Sequence, residues 1–95
     1  MNFDEIVYNE LTLPIDALCE TLSEEEQMQQ YAFFAALLPL LAEPDQEAMV
    51  LAAVIEFSKC AILGFQFSPA AALQIDQLLL RNIDLAHTMS ANHTN

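Results

Sequence analysis

Ninety-five residues are enough for one domain, and fourteen acids against two cations, Lys59 and Arg81, give a formal net charge of −12. Binding to DNA, RNA or an anionic membrane surface relies on lysine and arginine contacts to phosphates, so those partners are excluded and any electrostatically steered partner is expected to be basic. Hydrophobic residues at 55% exclude an acidic disordered tail, and a single glycine, Gly64, argues against a strand-rich domain with many tight turns.

Residues 3–11, "FDEIVYNEL", set Phe3, Ile6, Val7 and Leu11 near one face, which predicts a short first helix. Pro14 suits the first turn of a second. There Ile15, Leu18, Cys19 and Leu22 recur at i, i+3, i+4 and i+7, while Asp16 and Glu20 point away from that stripe. The run "SEEE" has the form of a capping box. Ser23 would cap a third helix, Glu26 would answer it three residues on, and Glu24 and Glu25 would sit at the positive end of the dipole. This helix is expected to reach about Ala42, bent at Pro39.

Its segment "YAFFAALLPLL" is apolar on two sides. Met28, Tyr31, Ala35 and Leu38 form one stripe, and Phe33, Leu37 and Leu40 form another roughly opposite. Eleven residues are too few to span a bilayer as a helix, which takes about 20. One stripe is expected to face the core. The other, with Phe33, Leu37 and Leu40, is expected to form the interface of a homodimer.

Pro44 opens a helix over about 45–63 whose polar strip is narrow: Asp45, Ala52, Glu56 and Lys59. That predicts a central, mostly buried helix ending near Gly64. Ser68 and Pro69 then cap a last helix running to about Met89. Gln74, Gln77, Arg81, Asp84 and Thr88 make its wet face, and Ala71, Ile75, Leu78, Leu79, Ala86 and Met89 its dry one. Asn82 falls inside the dry face, where a buried asparagine either bonds backbone or water or specifies a register or a dimer. The fold expected is all-α: a compact bundle of four to five helices in a single domain over 1–90, dimeric, with a disordered polar tail over 91–95.

No motif carries recognisable chemistry. A phosphate-binding glycine loop cannot be built from one glycine, and HExxH, CxxC and GxSxG are absent. Cys19 and Cys60 lie on apolar helix positions, so inert thiols are expected rather than a nucleophile partnered by His87. Asp84 and His87 form one i, i+3 pair, short of the inward carboxylates and second Glu-x-x-His element of a di-iron bundle. Ser23 in "TLSEE" and Ser68 in "QFSPA" both lack the Asp-Ser-Leu element of acyl carrier proteins, and the tyrosine-rich short helix of colicin-type immunity proteins is missing. No catalytic residue, metal or cofactor is expected. The opening "MNFDEIVYNE" lacks the basic start and apolar run of a signal peptide, and a cytoplasmic location is expected.

The composition is similar to that of phage-encoded nuclease inhibitors, anti-CRISPR proteins among them, which are often small and acidic. The function expected is that of a non-enzymatic interaction protein. Asp16, Glu20, Glu24 and Glu25 would engage a basic surface of a protein partner, and occupying a nucleic-acid-binding site is one form of inhibition that would result. The alternative is a structural or chaperone-like helical dimer that takes a partner helix into an apolar groove lined by Phe33, Phe34 and Leu37.

Overall fold

The computed structural model describes residues 3–43, 46–59 and 63–93, with the side chains of the last helix described as far as Thr88. Every regular element among them is helical. α1 (Phe3–Val7) passes through a wide π turn (Tyr8–Thr12) straight into α2 (Leu13–Glu24). The two helices expected on either side of Pro14 are thus one continuous rod. Proline has no N–H to donate to the carbonyl four residues back, and its ring crowds that carbonyl, here Glu10. The π turn supplies the slack: the Leu13 N–H bonds the Tyr8 carbonyl, five residues back.

The "SEEE" run is the end of α2 and not the start of α3, which corrects the expected capping box. Glu26 takes the left-handed conformation at φ 59°. The Gln27 N–H reaches the Leu22 carbonyl at 2.9 Å, and the Glu26 N–H reaches that of Ser23 at 3.1 Å. Those two bonds define a Schellman termination, with glutamate where glycine is usual. α3 (Met28–Ala35) follows, with Gln27 before it making no side-chain cap.

Pro39 does more than bend the next segment. Its ring would meet the carbonyl of Ala35, four residues back, and α3 ends at Ala35. The chain turns and resumes as a short 3₁₀ segment, Leu38–Leu41. The break redirects side chains that one straight rod would have sent to opposite sides. Phe34, Leu37 and Leu41 are buried in the core, and Tyr31, Phe33, Ala35, Leu38 and Leu40 pack half-buried against it. Phe33 makes edge contacts with Phe34 and Phe65, at centroid distances of 4.9 and 5.7 Å. The premise that Phe33, Leu37 and Leu40 lack a place in their own core is therefore wrong: Leu37 is 3% exposed. The groove expected on Phe33, Phe34 and Leu37 is closed in the same way, since Phe34 also packs on Phe57 and Phe67.

α4 (Glu47–Ser58) begins just after Pro44 and Asp45, which lie outside the described residues, as do Cys60, Ala61 and Ile62 beyond its end. It is one-sided rather than central. Val50, Ala53, Val54 and Phe57 are buried, while Leu51 and Ile55 face out. Gly64 takes φ 73°, a left-handed turn that a side chain would strain. α5 (Pro69–His93) starts where expected: the Ser68 hydroxyl accepts the Ala71 N–H at 3.2 Å, and Pro69 is the first helical residue. It continues to His93, past the end expected at Met89 and into the polar "SANHTN" segment. Ala71, Ile75, Leu78, Asn82 and Leu85 form its buried side.

Four helical rods thus surround one core, with dimensions of 44 × 22 × 18 Å. α2 packs on α3 and α5; α4 packs on the 3₁₀ segment and α5. Its 25 residues make α5 about 37 Å long at 1.5 Å per residue, so it accounts for the long dimension. No described helix is both long and apolar enough to cross a membrane.

Candidate interaction surface

Asp16, Glu20 and Glu24 recur every four residues along α2 and are all exposed. With Cys19, Ser23 and Tyr31 they line one surface hollow of about 360 Å³. α2 supplies five of these side chains, and Tyr31 comes across from α3, which the tight Glu25–Gln27 turn folds back against α2. The carboxylates are uncompensated. The ion pairs among the described residues join Lys59 to Glu56 at 2.8 Å and Arg81 to Glu10 at 3.5 Å, away from the hollow.

The spacing of these acids works against their own helix. Like charges at i, i+4 cost a helix about 0.2–0.5 kcal/mol per pair, and both Asp16–Glu20 and Glu20–Glu24 have that spacing. Glu20 and Glu24 also occupy the last turns of α2, the negative end of its dipole, where a carboxylate costs about 0.3–1 kcal/mol. Glu26, one residue before Gln27, is partly compensated by the start of α3. Within α2 only Asp16, in the first turn, gains similar relief. The reading of the acid run as helix capping therefore fails for this structure.

Glu25 parts company with the other three. Its Oε2 accepts the Ser68 hydroxyl at 2.6 Å, and its Oε1 is buried with no partner among the described residues. It ties the end of α2 to the start of α5 and is turned away from the hollow's lining. The pairing of Glu25 with Ser68 spans 43 positions and has no local signature in the sequence.

Cys19 forms the floor of the hollow, 4% exposed and free. Burial, with a smaller contribution from the charge of Asp16, pushes its thiol up to about 11. It stays protonated at neutral pH and is a poor nucleophile. Cys60 lies outside the described residues. Asp84 and His87 are both exposed on α5, and among the described residues no three potential ligands cluster as a metal site would require.

A second hollow, of about 370 Å³, separates the π turn and start of α2 from α5 and is lined by Asn9, Gln74, Gln77 and Arg81 with Leu13 and Pro14. A third, of about 190 Å³, lies on the other flank of α5. Val54 and Ser58 of α4 face Leu79, Asn82, Ile83 and Ala86 of α5 across it. No family model matches this chain, and no curated protein or solved structure matches it either.

Proposed function

We propose that this protein is a non-enzymatic interaction protein whose α2 hollow engages a basic surface of a protein partner. The observation that carries the reading is the placement of Asp16, Glu20 and Glu24: three exposed carboxylates on one hollow, outside the ion pairs of the described residues and spaced so that each repels the next along the helix that bears them. Acidity needed only for solubility can be placed anywhere on a surface. A strip of like charge steers a cationic partner and gains from each pair it forms. Blocking the nucleic-acid-binding site of an enzyme is the concrete form of this activity, because such sites present arginines and lysines at spacings that a row of carboxylates can meet.

The test compares two variants of equal charge. One replaces Asp16, Glu20 and Glu24 by their amides. The other does the same to Asp4, Asp76 and Asp84, which are exposed elsewhere. Binding of a fluorescent arginine-rich helical peptide at physiological salt is the readout. The first variant is expected to bind about tenfold more weakly than the parent, from three exposed charge pairs worth about 0.2–1 kcal/mol each. The second is expected to stay close to the parent. Equal losses in both would mean that only net charge matters, and the assignment to this hollow would fall.

A further inference from the structure

The outer side of α5 carries an apolar seam that the bundle leaves uncovered. Leu73, Leu80 and Ile83 are 60%, 66% and 54% exposed. At about 100° per residue, Leu73 lies within about 20° of Leu80 round the helix, and Ile83 about 60° from it. Large aliphatic side chains scattered singly are ordinary on a protein surface. These three instead follow one another at intervals of seven and three residues, the spacing at which one helix pairs with another. From Leu73 to His87 the strip is about 21 Å long at 1.5 Å per residue, room for about four turns of a second helix.

The seam carries negative charge. Asp76 and Asp84 stand four residues to either side of Leu80, about 40° from it round the helix, and both are exposed. Neither enters an ion pair among the described residues. The two cations of the chain are engaged elsewhere: Lys59 pairs with Glu56 at the end of α4, and Arg81 with Glu10 on the flank of α5 that meets the π turn. That charge decides between occupants. A second copy would bring the same acids to the same seam, and like charges set against each other disfavour it. An anionic membrane surface is repelled for the same reason. A cationic amphipathic helix gains from both features of the seam, covering the aliphatic side chains with its apolar stripe and meeting the carboxylates with the lysines or arginines that flank it.

We propose that the outer seam of α5 docks a cationic amphipathic helix of a partner protein, which covers Leu73, Leu80 and Ile83 and pairs its basic side chains with Asp76 and Asp84. This surface is separate from the Asp16–Glu20–Glu24 hollow. α2 packs on the flank of α5 marked by Gln74 and Arg81, about 100–120° round the helix from Leu80. The two assignments therefore stand or fall independently. A peptide rich in arginine but without an apolar stripe has nothing to cover Leu73 and Leu80 and is not held here.

Fluorescence anisotropy at physiological salt tests this on the full chain with Asp16, Glu20 and Glu24 already replaced by their amides, so that the hollow contributes nothing. The probe is a labelled leucine–lysine peptide with leucine at the a and d positions of each heptad, and its scrambled isomer is the reference. The patterned peptide is expected to bind at least about tenfold more tightly than the scrambled one. Leu73→Gln with Leu80→Gln is expected to weaken it by about tenfold or more, whereas Met28→Gln with Leu63→Gln, at comparably exposed positions off the seam, is expected to change it by less than about twofold. Leu73 and Leu80 are more than half exposed, so their double variant is expected to keep the helical circular dichroism of the chain it is made in. Asp76→Asn with Asp84→Asn is expected to weaken binding about fivefold through the loss of two exposed charge pairs. Asp4→Asn with Glu26→Gln removes the same charge elsewhere and is expected to leave binding nearly unchanged. Equal binding of the two peptides, or equal losses in the seam variants and their controls, would overturn the proposal. So would a chain that self-associates in sedimentation and dissociates on the Leu73/Leu80 change, since a second copy would then be the occupant.

Discussion

The stretch 31–41 and the α4/α5 face both carry large aliphatic side chains, and they meet opposite fates. The first is an eleven-residue run without a charge, and Phe34, Leu37 and Leu41 vanish into the core. The second includes α4, whose narrow polar strip predicts a mostly buried helix, yet it leaves Leu51, Ile55, Leu80 and Ile83 in solvent. What separates them is the backbone. Stretch 31–41 is broken by Pro39 into an α-helix and a 3₁₀ turn, so residues on either side of the break converge on one core. α4 and α5 run straight, and a straight helix that is apolar around more than half its circumference must leave part of it outside. Local hydrophobicity therefore located the buried material but not the unpartnered surface.

That contrast makes its largest prediction at Leu37. Leu37→Glu places a carboxylate in a side-chain site that is 3% exposed and is expected to cost more than about 4 kcal/mol, enough to unfold a domain of this size. Leu80→Glu, at 66% exposed, is expected to change the stability of the isolated chain by less than about 0.5 kcal/mol. Urea melts at low micromolar concentration measure both. Comparable losses would mean that the two apolar regions are not distinct in the way described.

The next effect tests the junction between the acidic and apolar parts. The Ser68 hydroxyl donates to Glu25 and accepts from the Ala71 N–H, so one atom both caps α5 and holds the end of α2. Ser68→Ala removes the cap, worth about 1 kcal/mol, and leaves the Glu25 carboxylate with neither oxygen paired. A loss of about 2 kcal/mol is expected. Ser68→Asp, which could cap but would repel Glu25, is expected to recover none of it. Recovery in the aspartate variant would show that only the cap matters.

Much of the fold was legible in the sequence, and the misses share a cause. The apolar stripe Ile15, Leu18, Cys19 and Leu22 is buried as its spacing implied, and Ser68–Pro69 opens α5 as its chemistry implied. Those are properties of one helix read by itself. Ser23 to Glu26 carry a helix-start pattern that the structure uses as a stop, because the apolar stripe of α2 continues through Leu22 and the chain must reverse before α3 can pack on it. Phe33, Leu37 and Leu40 share a second face only on a helix that runs on through Pro39, and the chain breaks there instead. The pairing of Glu25 with Ser68 and the gathering of Phe33, Phe34, Phe57, Phe65 and Phe67 are long-range contacts with no local pattern. The hollow was half legible: Asp16, Glu20 and Glu24 follow from helical spacing, whereas Tyr31 enters only through the reversal at Glu26.

That reversal gives a smaller and opposite effect. Glu26 holds a left-handed conformation that costs a side-chain-bearing residue about 1 kcal/mol or more relative to glycine. Glu26→Gly is expected to stabilise the protein by about 1 kcal/mol, raising Tm by about 4–8 °C for a domain of this size. Because Glu26 does not line the α2 hollow, the same variant is expected to bind the arginine-rich peptide nearly as the parent does. A loss of peptide binding would extend the functional surface to the turn.

The smallest effect concerns Cys19, which sits where the acidic hollow meets the core. Its thiol titrates near 11 in the folded chain against 9.0 for an unperturbed thiol. The raised value means that the folded state keeps its proton where the unfolded state has begun to lose it. The associated stability is fully present below pH 9 and declines as the pH rises toward 11. At pH 9.5 the loss is under about 1 kcal/mol. Tyrosine and lysine titration contribute to the alkaline slope of any protein, so the measurement is a difference: urea stability against pH for the parent and for Cys19→Ala. The alanine variant is expected to be less stable at pH 7, because a buried side chain has been trimmed, and to lose less stability between pH 8 and 10 than the parent does. Parallel slopes would mean that the thiolate is as well solvated in the folded chain as in the unfolded one. The hollow would then admit water down to its floor, and the boundary drawn at Cys19 between the charged surface and the core would be misplaced.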